Sequence, residues 1–444
     1  MSQQNKGGRF QVAFKVNKNH SQKVSGKVYM NEHELFIVPI NYKRISVKNF
    51  KSLENVKINL SKLNVVVGPN GSGKTNLLET IMFAKLIARP AIYPPYPFSL
   101  WWGYRNLVYL HDINKNIEFK ICGDVKTGEN SEHFSYGFVV NGAGEKLKII
   151  EETLDIDNSF SIKRLGNELK IHRDGNEVSG YEVLDLRYPI FNILTYPAQV
   201  YDESSGKWKL LLQINPGLAK GEPRTTTIDL DKKLIDAFGT IYANLFNDIY
   251  FLRYNPERAK APSVPGSILG VDGFGIFSGL QNAYTGTGSK SGGYLDYFLE
   301  EFNLRMEFQY TELQTVIMKL IENGLEVEPP GIPDGYLKAI TILYLLDLKP
   351  SMLVIDELEN HMHLKLIEHV LSALKNSSTE VLITTHSPLI IDLVEPEELV
   401  LLYKAENSTK AKRIENAEAL KKELIEKGIT LSESWFYGSL SEYQ

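Results

Sequence analysis

Three short strings in this 444-residue sequence carry side chains suited to phosphate chemistry. The first, Gly68-Pro69-Asn70-Gly71-Ser72-Gly73-Lys74-Thr75, fits G-x-x-x-x-G-K-[ST] without a gap. Its glycines let successive backbone N–H groups converge on phosphate oxygens, and a helix opening behind them offers its positive end. Gly68 through Asn76 are therefore the expected nucleotide-binding residues, with Asn70, Ser72 and Gly73 acting mainly through main-chain donors. Lys74 is placed to reach the β- and γ-phosphates, and the Thr75 hydroxyl to take a position on Mg²⁺. The expected ligand is ATP with Mg²⁺.

Binding alone is not hydrolysis, which needs a further carboxylate for the metal and a base for water. The second string, "SMLVIDELENHMH", supplies both: four apolar residues, Met352 to Ile355, end in Asp356-Glu357. Asp356 at the carboxyl end of a buried strand would hold Mg²⁺, and Glu357 would polarise the attacking water. Read in isolation, the same string is also a strand ending in solvated acids. The third string, "EVLITTHSPLI", runs into Thr385-His386-Ser387 about thirty residues on. A neighbouring parallel strand would present that polar tip beside the same phosphate, with His386 as its sensor; the blander alternative is a structural histidine. Lys74, Glu357 and His386 form the expected catalytic set, Thr75 and Asp356 the metal set.

Certain elements must position these groups. "KLNVVVG" reads as a buried strand feeding the glycine loop, and Asn76 to Ile87 as a helix that stops before Arg89-Pro90. Upstream, "YKRISVKNF" and "NVKINL" alternate like strands, and residues 1–40 read as one or two edge strands or a lead-in. From Ile117 to Leu212 the chain alternates, with turns at "NGAG" and "RDGNE". Helical character returns at Asp231–Tyr250 and Tyr294–Asn323, around a glycine-rich loop that includes "TGTGSKSGG". From Tyr336 helices alternate with the strands Met352–Ile355 and Val381–Thr384, the pattern of a mostly parallel, helix-covered sheet. The aromatic run Tyr93–Tyr109 is either core packing or a partner contact.

The three strings together resemble the ABC-type ATPase heads of the RecF, SMC and OLD kind, and more narrowly the stand-alone prokaryotic AAA-type ATP-binding proteins of that group. Further matches are "ISVKNFKSLENVKINL", "IDELENHMHLKLIEHV" beside the group's D-E-P-E-N-x-L-H-P, and "ITLSESWFYGSL". The resemblance implies an α/β P-loop NTPase fold: a mostly parallel helix-covered sheet, an antiparallel β subdomain and a helical lobe. The expected segments are an extension at 1–40, a first ATPase lobe at 41–215 and a helical lobe at 216–335. The ATPase lobe is completed at 336–405 and followed by a strand and charged helix at 406–444.

Such heads also carry a signature segment that caps the γ-phosphate held by a second subunit, and Pro333-Asp334-Gly335 aligns with it. Asp334 and Gly335 are thus implied as nucleotide contacts in trans, although Pro333 brings neither a hydroxyl nor an N–H. Leu358 and Leu364 stand where the group has prolines, and His363 matches a histidine that faces the dimer interface. Asn49, Phe50 and Lys51 align near the nucleotide, while Gln199 and Gln213 are both candidates for the water-sensing glutamine.

A net charge of −5 gives no overall basic field, so generic capture of DNA has no support in it. One cysteine, Cys122, suits a reducing compartment. No apolar run is long enough to span a bilayer and the first residues lack a signal-peptide core, so a cytoplasmic protein is expected, with no membrane partner. Heptads and a following nuclease-sized segment are lacking, which points away from a coiled-coil clamp and from a nuclease in cis. The resemblance implies a homodimer or higher homo-oligomer around ATP, controlling a separate effector such as a nuclease or toxin, in defence against phages or plasmids. Two other classes stay open: a nucleotide-dependent binding module with little turnover, and a RecF-like DNA repair ATPase.

Overall fold

The computed structural model describes residues 40–91, 95–202, 205–285 and 293–437. The lead-in 1–39, Tyr93, most of the glycine run 285–293 and the end of "ITLSESWFYGSL" lie outside the described residues. Two compact units emerge: one from the chain before Asn55 with Phe83–Asn247, the other from Asn55–Met82 with Asp248 onward.

The first unit is built on an antiparallel sheet. Ile40–Phe50 pairs with Ile117–Thr127, and five further strands follow as a meander to Asn176–Val183. Alternation of apolar and polar residues produces this, as in Asn130–Asn141, where Phe134, Tyr136, Phe138 and Val140 are buried. A three-stranded sheet, Leu194–Asp202, Lys207–Ile214 and Thr225–Asp229, and the helix Lys232–Asn244 complete the unit. Within the run Tyr93–Tyr109, Phe98, Trp101 and Tyr104 pack into a ring cluster with Phe50, Phe83 and Phe138. Trp102, by contrast, is 92% exposed, so the run serves the core and also reaches solvent.

The second unit holds the three strings. Its six-stranded sheet runs Ile249–Leu252, Met352–Ile355, Glu380–Thr384, Leu63–Val67, Leu399–Ala405, Ser408–Arg413. The first five strands are mutually parallel, and the last returns as a hairpin. The strands Leu63–Val67, Met352–Ile355 and Glu380–Thr384 are buried at every residue, as parallel strands covered on both faces must be. The helices Asp334–Asp347 and Leu364–Asn376 pack apolar residues into that core.

The helical reading of Tyr294–Asn323 needs correction. Only Tyr294–Glu301 is helical; Leu304–Tyr310, Val316–Glu322 and Leu325–Val327 form a three-stranded antiparallel sheet. Asn303 at φ +51° breaks the helix, and Asn323-Gly324, both at positive φ, makes the hairpin turn that such a pair favours. The stretch Asp231–Tyr250 is also shorter as a helix, ending at Asn244, and Ile249–Leu252 is the edge strand of the parallel sheet.

Candidate functional site: the carboxyl edge of the parallel sheet

One row across the sheet runs Leu252, Ile355, Ile383, Val65, Leu399, each paired with the next. Because these strands are parallel, the residues following them emerge at one edge: Arg253, Asp356-Glu357, Thr384 to Ser387, and the glycine loop. Ligands of open parallel sheets are held at this edge.

The loop is shaped by close approaches. A Cβ at Gly68 would collide with the carbonyl oxygen of Leu402 on the adjacent strand, so only glycine fits. Gly73 at φ +104° turns the chain into the 15-residue helix Lys74–Ala88, whose first amides face the loop. Pro69, Asn70 and Gly71 are exposed, while Ser72 and Lys74 are buried. Among the described residues the buried Ser72 Oγ has no hydrogen-bond partner, and its carbonyl accepts from Thr409 Oγ1 at 2.8 Å. Lys74 Nζ donates to the carbonyls of Gly68, at 2.8 Å, and Pro69, at 3.2 Å. Burial draws this ammonium below its ordinary pKa, and the charges of Asp356, Glu357 and Glu359 pull it back up. Lys74 and the acidic strand thus act on each other electrostatically. The glycine cradle, the helix start, the Lys74 ammonium and the Thr75 hydroxyl with Asp356 form a set of groups that fits a nucleotide triphosphate with Mg²⁺.

The acidic strand is stitched to its neighbours. Thr384 Oγ1 donates to Asp356 Oδ1 at 2.6 Å and accepts from the Glu357 amide at 2.8 Å. Arg253 lies 3.1 Å from the other Asp356 oxygen and 3.2 Å from Glu79 on the loop helix. Glu357 sits at φ +51°, a left-handed conformation uncommon for a residue with a Cβ, and Asn360 Nδ2 donates to its carboxylate at 2.5 Å. The His386 ring is exposed, while its backbone amide donates to Glu359.

Behind this loop stands Lys338, 1% exposed. Its ammonium donates to the carbonyls of Glu357, Leu358 and Asn360 at 2.8, 3.1 and 3.0 Å. Burial lowers its pKa to about 8, against the raising influence of Glu359, Glu357 and Asp356. Lys338 lies on the helix that Pro333 caps and Asp334 and Gly335 open. A Cβ on Gly335 would stand 2.5 Å from the His361 carbonyl oxygen, so this turn is pressed on the segment after the acids. Asp334 pairs with Lys260 at 2.6 Å and lies 3.8 Å from His361.

The second unit therefore gathers Lys74, Asp356, Glu357 and His386 at one edge. Asp334 and Gly335 pack against His361 within the same chain. Gln199 belongs to the first unit, where its amide donates to Asp236 at 2.9 Å. Sequence reasoning assigned nothing to Arg253, Lys338 or Glu359. A lone cation inside the apolar run "YLKAITILYLL" was a usable signal for Lys338; for the other two only the fold reveals the partner.

The sequence profile of a family described as "AAA domain, putative AbiEii toxin, Type IV TA system" matches residues 63–392. The DNA replication and repair protein RecF of Clostridium acetobutylicum is 30% identical over 125 residues, covering 25% of this chain and 34% of that protein. RecF of Bacteroides fragilis is 57% identical over 42 residues, 9% of this chain and 11% of that one. The OLD nuclease of Thermus scotoductus is 51% identical over 39 residues, 9% and 7% of the two chains. This chain thus spans from less than a tenth to about a third of the length of these curated relatives. Among solved structures, an SMC head bound to the C-winged helix domain of ScpA aligns with a TM-score of 0.44 at 11% identity, covering 86% of this chain and 99% of that one. The SMC head domain from Thermotoga maritima aligns with a TM-score of 0.38 at 13% identity, over 84% and 99% of the two chains.

Proposed function

From the premise that the chain belongs to the AAA-domain family matched over 63–392 and is an ABC-type ATPase head of the RecF and OLD kind, we propose that it binds and hydrolyses ATP with Mg²⁺. In this reading Lys74 leaves the carbonyls of Gly68 and Pro69 for the β- and γ-phosphates, and the amides of Gly68 to Asn76 orient the phosphate chain. Thr75 and Asp356 hold the metal. Mg²⁺, when bound, would supply positive charge that neutralises charge developing on the phosphates. Glu357 accepts a proton from the attacking water, and His386 contacts the γ-phosphate. Asp334 and Gly335 close the site of a second copy, so the working unit is a homodimer or higher homo-oligomer.

The observation that carries this reading is the parallel pairing of Leu63–Val67 with Glu380–Thr384 and of the latter with Met352–Ile355, which brings the glycine loop, the acidic pair and the His386 turn to one edge of one sheet. We assign the protein to the cytoplasm and its output to a separate effector, a nuclease or toxin, in defence against phages or plasmids, in keeping with the toxin-system wording of the family description. Titration with a fluorescent ATP analogue and phosphate-release assays test the proposal. Lys74→Ala should lose ATP binding, and Glu357→Gln should retain ATP, accumulate as a dimer and release phosphate about a hundredfold more slowly. A Lys74→Ala protein that holds ATP as tightly as its parent would refute it.

Pro333 favours a second reading, a nucleotide-dependent binding module with little turnover. A proline at the head of this helix lacks the hydroxyl and the N–H of a capping donor. Equal, negligible phosphate release by wild type and Glu357→Gln would select that reading.

A further inference from the structure

Glu359 follows the acidic pair by two residues, and the hydrolysis proposal gives it no task. Its two oxygens are nevertheless committed. Oε1 accepts from the backbone amide of His386 at 2.6 Å, and Oε2 accepts from Thr385 Oγ1 at 2.9 Å. The Thr385 oxygen in turn accepts the Ser387 amide at 2.9 Å, which directs its own proton to Glu359. Thr385 is fully buried, whereas the His386 ring stands in solvent. The ring therefore takes its position from its backbone, and its backbone is held by Glu359.

We propose that Glu359 is a positioning residue for turnover: its carboxylate fastens the turn bearing His386 to the loop bearing Glu357, fixing the distance between the two groups. This inference rests on the hydrolysis reading for its consequence, though not for the anchoring itself. Two charge-assisted bonds from one carboxylate resist separation far better than either alone. Only an ionised carboxylate meets both demands, since both partners donate. A glutamine at 359 can accept from His386, yet its NH2 could only donate to the remaining lone pair of Thr385 Oγ1 and would leave the hydroxyl proton without its acceptor. Aspartate keeps the charge but is one methylene too short to span both donors.

The carboxylate stands at the same sheet edge as the glycine loop, bonded to the turn after Glu380–Thr384, and its charge raises the pKa of Lys74 against the effect of burial. Removing that charge favours binding of a polyanion. The expected signature is thus a fall in kcat with ATP affinity unchanged or tighter, which general damage to the fold would not give.

The test compares full-length wild type, Glu359→Gln, Glu359→Asp, His386→Ala and the Glu359→Gln/His386→Ala double variant. The readouts are the Kd of a fluorescent ATP analogue with Mg²⁺, kcat, and backbone hydrogen exchange across 384–388. Both Glu359 variants should speed exchange at the turn and lower kcat by about tenfold, the loss of one charge-assisted bond. The double variant should turn over no more slowly than His386→Ala alone, because both substitutions act through one group. Unchanged exchange in Glu359→Gln, or losses that multiply in the double variant, would overturn the proposal. Faster exchange in a protein whose wild type releases no phosphate would leave the anchor standing and remove the hydrolysis reading instead.

Discussion

Arg253 Nε stands 3.1 Å from Asp356 Oδ2, so the carboxylate that ends the acidic strand is shared with a guanidinium from the neighbouring strand. The same side chain reaches Glu79 at 3.2 Å, which ties the loop helix to the acidic strand through one cation. A divalent ion and this guanidinium would compete for the same negative charge. Arg253→Ala should therefore lower the Mg²⁺ concentration that half-saturates nucleotide binding by about three- to tenfold, an ion pair of partly exposed type. A magnesium titration with a fluorescent nucleotide measures this directly; an increase in the Mg²⁺ requirement would make Arg253 a helper of the metal rather than its competitor.

Gly335→Ala should destabilise the second unit by roughly 1–3 kcal/mol, as overpacking against backbone does. The added carbon would lie 2.5 Å from the His361 carbonyl oxygen, and a main-chain atom cannot rotate away as a side chain does. Urea unfolding gives the value. A neutral result would mean that the helix start and the loop are free to separate.

Lys338 predicts a pH dependence of folding. Its folded pKa of about 8 lies below its ordinary 10.5, so between those values the unfolded chain binds more protons than the native one. Stability contributed by this group therefore rises with pH across that window and is flat below it. Lys338→Met should abolish this rise, so the gap in unfolding free energy between wild type and variant should widen from pH 8 to pH 10. Below pH 8 the variant should still be the less stable, since three carbonyls lose their common donor.

Pro333→Ser restores a hydroxyl and an N–H at the head of helix Asp334–Asp347, where no side chain now caps the helix. A serine cap contributes about 1 kcal/mol, so the melting temperature should rise by a few degrees. If the segment also closes the site of a second copy, phosphate release should rise with it. A gain in stability without a gain in turnover would confine Pro333 to a local structural part.

The chemistry at the sheet edge was legible because each of its strings borders a short, mostly apolar strand: Leu63–Val67, Met352–Ile355 and Glu380–Thr384. A fully buried parallel strand advertises itself, and polar residues at its end have few reasons to be there. Ile249–Leu252 escaped notice because it closely follows the helix Lys232–Asn244, so its apolar residues were absorbed into that helical pattern. The hairpin at Asn323-Gly324 carried a readable turn signal, masked by apolar residues on either side that also suit a helix. Arg253, Glu359 and Asn360 were beyond reach for another reason. Their roles lie in which distant atom they meet, and no local pattern encodes that.

The central strand Leu63–Val67 takes both its ladder neighbours from the far end of the chain; the bond from Asn64 to Val381 alone spans 317 residues. At ribosomal speeds of about 5–20 residues per second, roughly a quarter of a minute to a minute passes between the synthesis of that strand and the arrival of its partners. During this interval a mostly apolar ribbon has open edges on both sides, a form prone to sticking to other nascent chains. The nucleotide loop is thus among the earliest parts of the unit to be made and among the last to be assembled, and the yield of native protein depends on what shields it while it waits.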